Sequence, residues 1–159
     1  MLAAASPVMS LQDAWCAFLS RYPMQWFCTL TFRQSVHPEQ AFKCFRRWIA
    51  ELNVSIYGRR WQKRRQGVYW VLAWEWQKRG VIHFHALVGD VSDINNEARR
   101  LTWMDRWNSL GGYAQVTEIL SHEAVERYCS KYITKDGQID VSDSLASYAQ
   151  QQRLSVLPR

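Results

Sequence analysis

The sequence predicts an α+β domain: an antiparallel sheet of split βαβ order with helices packed on one face. Three observations predict it. Hydrophobic periods of helix and strand type follow one another in the order helix, β-α-β-β-α-β, helix. Residues 68–76 and 81–88 are strand-like runs joined by Gln77-Lys78-Arg79-Gly80, a tight turn with glycine where φ > 0 is needed. The chain has 159 residues, 48% of them hydrophobic, which suffices for one domain around one core.

Each element has a local reason. Residues 10–22 form an amphipathic helix: Ser10 caps it, Leu11, Ala14, Trp15, Phe18 and Leu19 share a face, and Pro23 ends it. Residues 26–32 (WFCTLTF) read as a strand. His37-Pro38-Glu39 opens a second helix, with proline in its first turn. Its stripe is Ala41, Phe42, Phe45, Trp48, Ile49 and Leu52, and it runs out near Tyr57-Gly58. Residues 59–65 (RRWQKRR) are too polar for a core element and read as a basic loop or helix extension. Ser92 or Asp93 caps a third helix to about Trp107, and Gly111-Gly112 breaks it. Residues 113–119 are a fourth strand. Ser121 caps a last helix to about Thr134, and Asp136-Gly137 ends it. The expected domain is single and spans 1–159, with its core at about 24–135 and a polar tail at 136–159, helical or disordered.

Charge and composition narrow the function. The formal net charge is +6, but residues 43–65 alone hold eight basic side chains and one acid. The rest of the chain is close to neutral. So local an excess points to an anionic partner, most often nucleic acid. No apolar run reaches the ~18 residues of a spanning helix, and the N-terminus lacks the basic flank of a secretory signal. A cytoplasmic protein with no membrane partner is expected. The four cysteines form no CxxC pair and read as reduced thiols. No GxxxxGK[ST] occurs, which excludes an ATP-driven helicase of the P-loop kind. Most of the nine tryptophans are expected in the core, with a few left to stack on bases.

His83-Phe84-His85 is the sharpest chemical feature. In a strand, residues i and i+2 point to one side, so both imidazoles project together. Two satisfied strand histidines would look the same, and the turn separates the readings. With Lys78-Arg79-Gly80 as a three-residue loop, Gln77 pairs with Val81, Trp76 with Ile82 and Glu75 with His83. Opposed residues share a face, so Glu75, His83 and His85 converge. A one-residue slip would turn Glu75 away. Two imidazoles and a carboxylate suit a Lewis-acid cation, Mg²⁺ or Mn²⁺, that also binds a phosphate oxygen.

The last helix carries Tyr128-Cys129-Ser130-Lys131-Tyr132-Ile133-Thr134-Lys135, in which YxxK occurs twice. Tyr128 and Tyr132 share a helical face, as do Lys131 and Lys135. A tyrosine hydroxyl can attack phosphorus and form a covalent phosphotyrosine, and a lysine beside it can neutralise the leaving oxygen.

WFCTLTF, EWQKRGVIHFHALV and ERYCSKYITK resemble, in that order, the three motifs of HUH endonucleases, and more narrowly rolling-circle replication initiators of small plasmids, single-stranded DNA viruses and phages. They span most of the chain. The resemblance implies an HUH endonuclease domain of ferredoxin-like or RRM-like type, with a divalent cation (Mn²⁺ or Mg²⁺) held by Glu75, His83 and His85. It implies that Tyr128 attacks the scissile phosphate of single-stranded or origin hairpin DNA, with Lys131 beside it. YCSK is similar to the single-tyrosine initiators of small circular DNA viruses. The YxxKYxxK doublet is similar to the two-tyrosine initiator of small icosahedral phages, so Tyr132 stands as a second candidate nucleophile. The larger viral initiators carry a helicase domain that this sequence lacks, and a host helicase would be recruited separately. Arg59, Arg60, Lys63, Arg64, Arg65 and Lys135 are the expected DNA contacts, with the basic loop flanking the metal site. The rivals are a transposase or conjugative relaxase with the same chemistry, and a non-catalytic DNA-binding or repressor module. A cupin-type site lacks its downstream carboxylate.

Overall fold

A computed structural model describes residues 8–133 and 138–145. Nine regular elements are found among them: α1 (Leu11–Leu19), β1 (Met24–Phe32), α2 (Pro38–Tyr57), β2 (Tyr69–Trp76), β3 (Ile82–Gly89), α3 (Glu97–Leu110), β4 (Gly112–Glu118), α4 (His122–Tyr132) and β5 (Gln138–Val141). The strands form one antiparallel sheet in the order β4-β1-β3-β2-β5. The fold is α+β, and its βαββαβ core is compatible with the ferredoxin-like order expected.

Two features correct the sequence reading. Helices cover both faces of the sheet, not one. On the first face Trp26, Cys28, Leu30 and Phe32 of β1 and Leu72 and Phe84 of the hairpin pack against Phe45, Trp48 and Leu52 of α2 and Trp103 and Trp107 of α3. On the second face Val71, Ala73 and Leu87 pack against Leu19 of α1 and Val125, Tyr128 and Cys129 of α4. The reason is written in β2 and β3, whose runs Val71-Leu72-Ala73 and Ala86-Leu87-Val88 are apolar on both sides, as strands buried on both faces must be. The second correction is the tail. Residues 138–141 form β5 against the β2 edge, and Ser142 and Leu145 beyond it are buried. The pairing closes an edge that would otherwise present unpaired N–H and C=O groups.

Boundaries moved where caps decided them. Ser10 caps α1 by accepting from the Asp13 amide. α3 begins four residues later than expected, because Ser92–Ile94 is a single 3-10 turn and Asn96 is the true cap, accepting from the Arg99 amide. Residues 59–65 are a loop rather than a helix extension, since Gly58 leaves α2 at φ 82°. Gly112 permits a close approach: a Cβ there would sit 1.5 Å from the Thr31 carbonyl oxygen on the neighbouring strand. Five tryptophans are buried, and Trp26, Trp48 and Trp107 satisfy their indole N–H groups on Asn95, Trp103 and Thr31. No helix among the described residues is long and apolar enough to cross a membrane.

Candidate active site

The β2–β3 turn sets the site. Gly80 takes φ 75°, the Gln77 amide donates to the Val81 carbonyl, and the register pairs Trp76 with Ile82 and Glu75 with His83. That is the three-residue loop the sequence predicts. Glu75, His83 and His85 therefore share the face of the sheet that α4 crosses. Each offers a ligand atom, and these atoms lie within 4.8 Å of one another.

The three side chains grade from solvent to interior. Glu75 is 56% exposed at its side chain and His85 only 6%, with Nε2 of His85 3.0 Å from Glu75 Oε1. His83 is half-buried: its Nδ1 lies 2.7 Å from the Gln77 amide and its Nε2 3.2 Å from Thr31 Oγ1. Burial is the main cause that lowers both imidazole pKa values. That of His85 falls to about 4, opposed by its bond to Glu75 and reinforced by His83 and Lys131. Both rings are neutral at neutral pH, the form that ligates metal. His85 Nδ1 is buried with no hydrogen-bond partner among the described residues, an orphaned donor or acceptor of the kind a ligand satisfies. The donor set thus fits a divalent cation, and Glu75, His83 and His85 are a possible metal-binding group.

α4 brings the tyrosines to this face in unequal ways. The Tyr132 ring stacks on His85 with centroids 3.9 Å apart, and His85 stacks in turn on His83 at 4.5 Å. Lys131 Nζ lies 5.2 Å from the Tyr132 ring centre. Tyr132 is half-buried, and its hydroxyl makes no hydrogen bond among the described residues. Tyr128 is one turn deeper. It is 2% exposed, its hydroxyl donates to the His85 backbone carbonyl at 2.8 Å, and burial pushes its pKa well above the ordinary tyrosine value. The sequence ranks Tyr128 first as nucleophile; the structure puts Tyr132 at the imidazoles and Tyr128 under them.

The basic loop does not flank this centre, contrary to expectation. Arg59, Arg60, Lys63, Arg64 and Arg65 are exposed and form no ion pair among the described residues. They precede Tyr69, at the start of β2, whereas Glu75 lies six residues on, about 20 Å along the strand. The loop borders an open cleft of about 1120 Å³ lined by Arg46, Trp61, Arg65, Tyr69 and Asp90 among others. Lys135 lies outside the described residues.

The sequence reading missed three neighbours. Gln77 falls on the Glu75 face by the same register and was legible. Arg79 donates to the Gln77 side-chain oxygen at 3.0 Å and to the Phe32 carbonyl at 2.9 Å, bracing that amide. Thr31 arrives through the pairing of β1 with β3, about 50 residues away in sequence, for which no local signal exists.

The family model for the replication-associated protein of ORF2 type matches residues 25–137. The chain belongs to this family. The match begins in β1 and takes in the Glu75–His83–His85 group and all of α4, so the candidate site lies wholly inside the region shared with other replication-associated proteins. The family places the chain in DNA replication, a role consistent with a nuclease-type initiator. No curated protein and no solved structure matches it.

Proposed function

We propose that the chain is a rolling-circle replication initiator of HUH type that nicks and rejoins single-stranded DNA through a covalent 5′-phosphotyrosine. The observation that carries the reading is one patch on a sheet face that holds a carboxylate, two neutral imidazoles and a lysine-flanked tyrosine, in a chain of a replication-associated family.

Glu75, His83 and His85 would hold Mg²⁺ or Mn²⁺. When bound, such a cation would polarise a phosphate oxygen as a Lewis acid. Tyr132 is the first nucleophile in this arrangement. Its hydroxyl oxygen attacks phosphorus and its proton leaves to solvent; the P–O3′ bond breaks, and the departing 3′ oxygen takes a proton to become a 3′-OH. Lys131, beside the ring, offsets the negative charge that develops on the phenol oxygen and the phosphate. The Gln77 amide, braced by Arg79, fixes the plane of His83. Attack by a 3′-OH on the phosphotyrosine reverses the step and rejoins the strand, so the bond energy is conserved without a nucleotide cofactor. Tyr128 becomes a second nucleophile only if it releases the His85 carbonyl. Arg59, Arg60, Lys63, Arg64, Arg65 and Lys135 grip DNA phosphates away from the cut, a host helicase opens the duplex, and the reaction runs in the cytoplasm.

The test mixes the full chain with origin-derived single strands and Mn²⁺ and follows a covalent adduct on a denaturing gel. The adduct is expected with the metal, and its loss is expected on chelation and in Glu75→Gln. An adduct that ignores both removes the metal centre from the account; no adduct with any origin strand favours the DNA-binding module.

A further inference from the structure

A second group of metal-ligating side chains lies on the seam between α1 and α4. His122, Glu126 and Cys129 occupy positions i, i+4 and i+7 of α4, which one helical face presents together. Cys16 of α1 faces them. Ligand atoms of Cys16, His122 and Glu126 lie within 4.8 Å of one another, and Nε2 of His122 is 3.5 Å from Oε1 of Glu126. The seam deepens from these two exposed side chains through half-buried Cys16 to Cys129, which is buried and hydrogen-bonded to the Cys16 side chain. None of these four residues takes part in the nicking centre.

We propose that Cys16, His122 and Glu126 form a site for a borderline-soft divalent cation of the zinc class, which staples α1 onto the helix that carries Lys131 and Tyr132. The donor chemistry distinguishes the two centres. One thiolate, one imidazole and one carboxylate with an open fourth position suit tetrahedral zinc, whereas the sulfur-free Glu75 group suits Mg²⁺ or Mn²⁺. Binding releases the Cys16 thiol proton to solvent, and the new S–metal bond takes up its electron pair. Cys129 is the second sulfur beneath the ligand and is kept protonated by burial, its pKa pushed up to about 12. The seam has few other ties: the Gln12 amide donates to the Ser130 carbonyl at 3.4 Å, a long bond for an attachment of the tyrosine helix. The proposal goes beyond the nicking reading and does not depend on it.

The test is a titration of the reduced, metal-stripped full chain with Co²⁺ alone. A thiolate-to-cobalt charge-transfer band is expected to saturate at one equivalent, to persist in the His83→Ala/His85→Ala variant, and to be bleached by Zn²⁺ but not by the same excess of Mg²⁺. Cys16→Ser is expected to lose the band, and His122→Ala and Glu126→Gln, both at exposed positions, to weaken cobalt affinity tenfold or more with unchanged circular dichroism. Absence of the band in the parent, its survival in Cys16→Ser, its loss in the His83/His85 variant, or full affinity in both α4 variants would overturn the assignment. So would a Cys16–Cys129 disulfide that forms in air at the same rate with and without Zn²⁺.

Discussion

Tyr128→Phe deletes one buried hydroxyl and leaves the ring in place, which makes it the cleanest probe of how α4 sits. That hydroxyl donates to the His85 carbonyl at 2.8 Å, and the side chain is 2% exposed. The carbonyl belongs to a central strand paired on both sides, so it is not stripped of its surroundings. The loss is therefore the net value of one buried hydrogen bond plus some desolvation, about 1–2 kcal/mol. In a chain of this size that lowers Tm by about 2–8 °C. Tyr132→Phe removes a hydroxyl without a partner among the described residues and keeps the ring on His85, so its stability should stay within about 0.5 kcal/mol of the parent. The two variants are then opposite in the two readouts. In single turnover with Mn²⁺, Tyr128→Phe melts low yet forms adduct, while Tyr132→Phe melts like the parent and forms none. Thermal melting and adduct gels on the same preparations decide it. Unchanged melting with no adduct in Tyr128→Phe would refute the assigned roles.

Other expectations follow from the charge and the hydrogen bonds. Neutralising Arg59, Arg60, Lys63, Arg64 and Arg65 together should weaken single-strand binding and flatten the slope of log K against log salt by about 3, with cleavage of saturating strand retained; fluorescence anisotropy across salt measures this. Glu51 is held below the ordinary carboxylate range, first by its hydrogen bond to Arg106 and then by Arg47, against a smaller opposing effect of burial. A lowered folded pKa stabilises above the unfolded value, about 4.3, and the gain is lost as pH falls through the folded value. Urea melts should show Glu51→Gln with a shallower loss of stability below about pH 5, and with a deficit at pH 7 of no more than about 1 kcal/mol, since the pair is partly solvated. Gln77→Ala should lower metal affinity about tenfold or more by freeing the His83 ring, read by calorimetry with Mn²⁺.

Local rules carried the site far and the fold less far. Gly80 sets the loop length, the loop sets the register, and the register places Glu75 against His83; every link lies within eleven residues, so sequence pattern could follow it. The helical spacing of Tyr128 and Tyr132 was equally legible, but spacing gives a shared face and not a depth. Which tyrosine is buried depends on how α4 lies over Ala73 and His85, a tertiary fact. The same limit hid β5: Gln138–Val141 is short and half polar, and becomes a strand because the β2 edge accepts it. The second helical layer was written in Val71-Leu72-Ala73 and Ala86-Leu87-Val88, apolar runs that an alternating one-sided strand would not have. The basic loop was correctly seen as concentrated charge and misplaced because proximity in sequence to β2 is not proximity to the far end of β2.

Mapping the adduct tests the central claim most directly. The full chain is reacted with a labelled single strand and Mn²⁺, digested, and the phosphonucleotide-bearing peptide sequenced by mass spectrometry. The account predicts a 5′-phosphate on Tyr132, absent when Mn²⁺ is chelated or when His83 and His85 are alanine. A modification outside residues 128–132, or one formed equally without the cation, would contradict it.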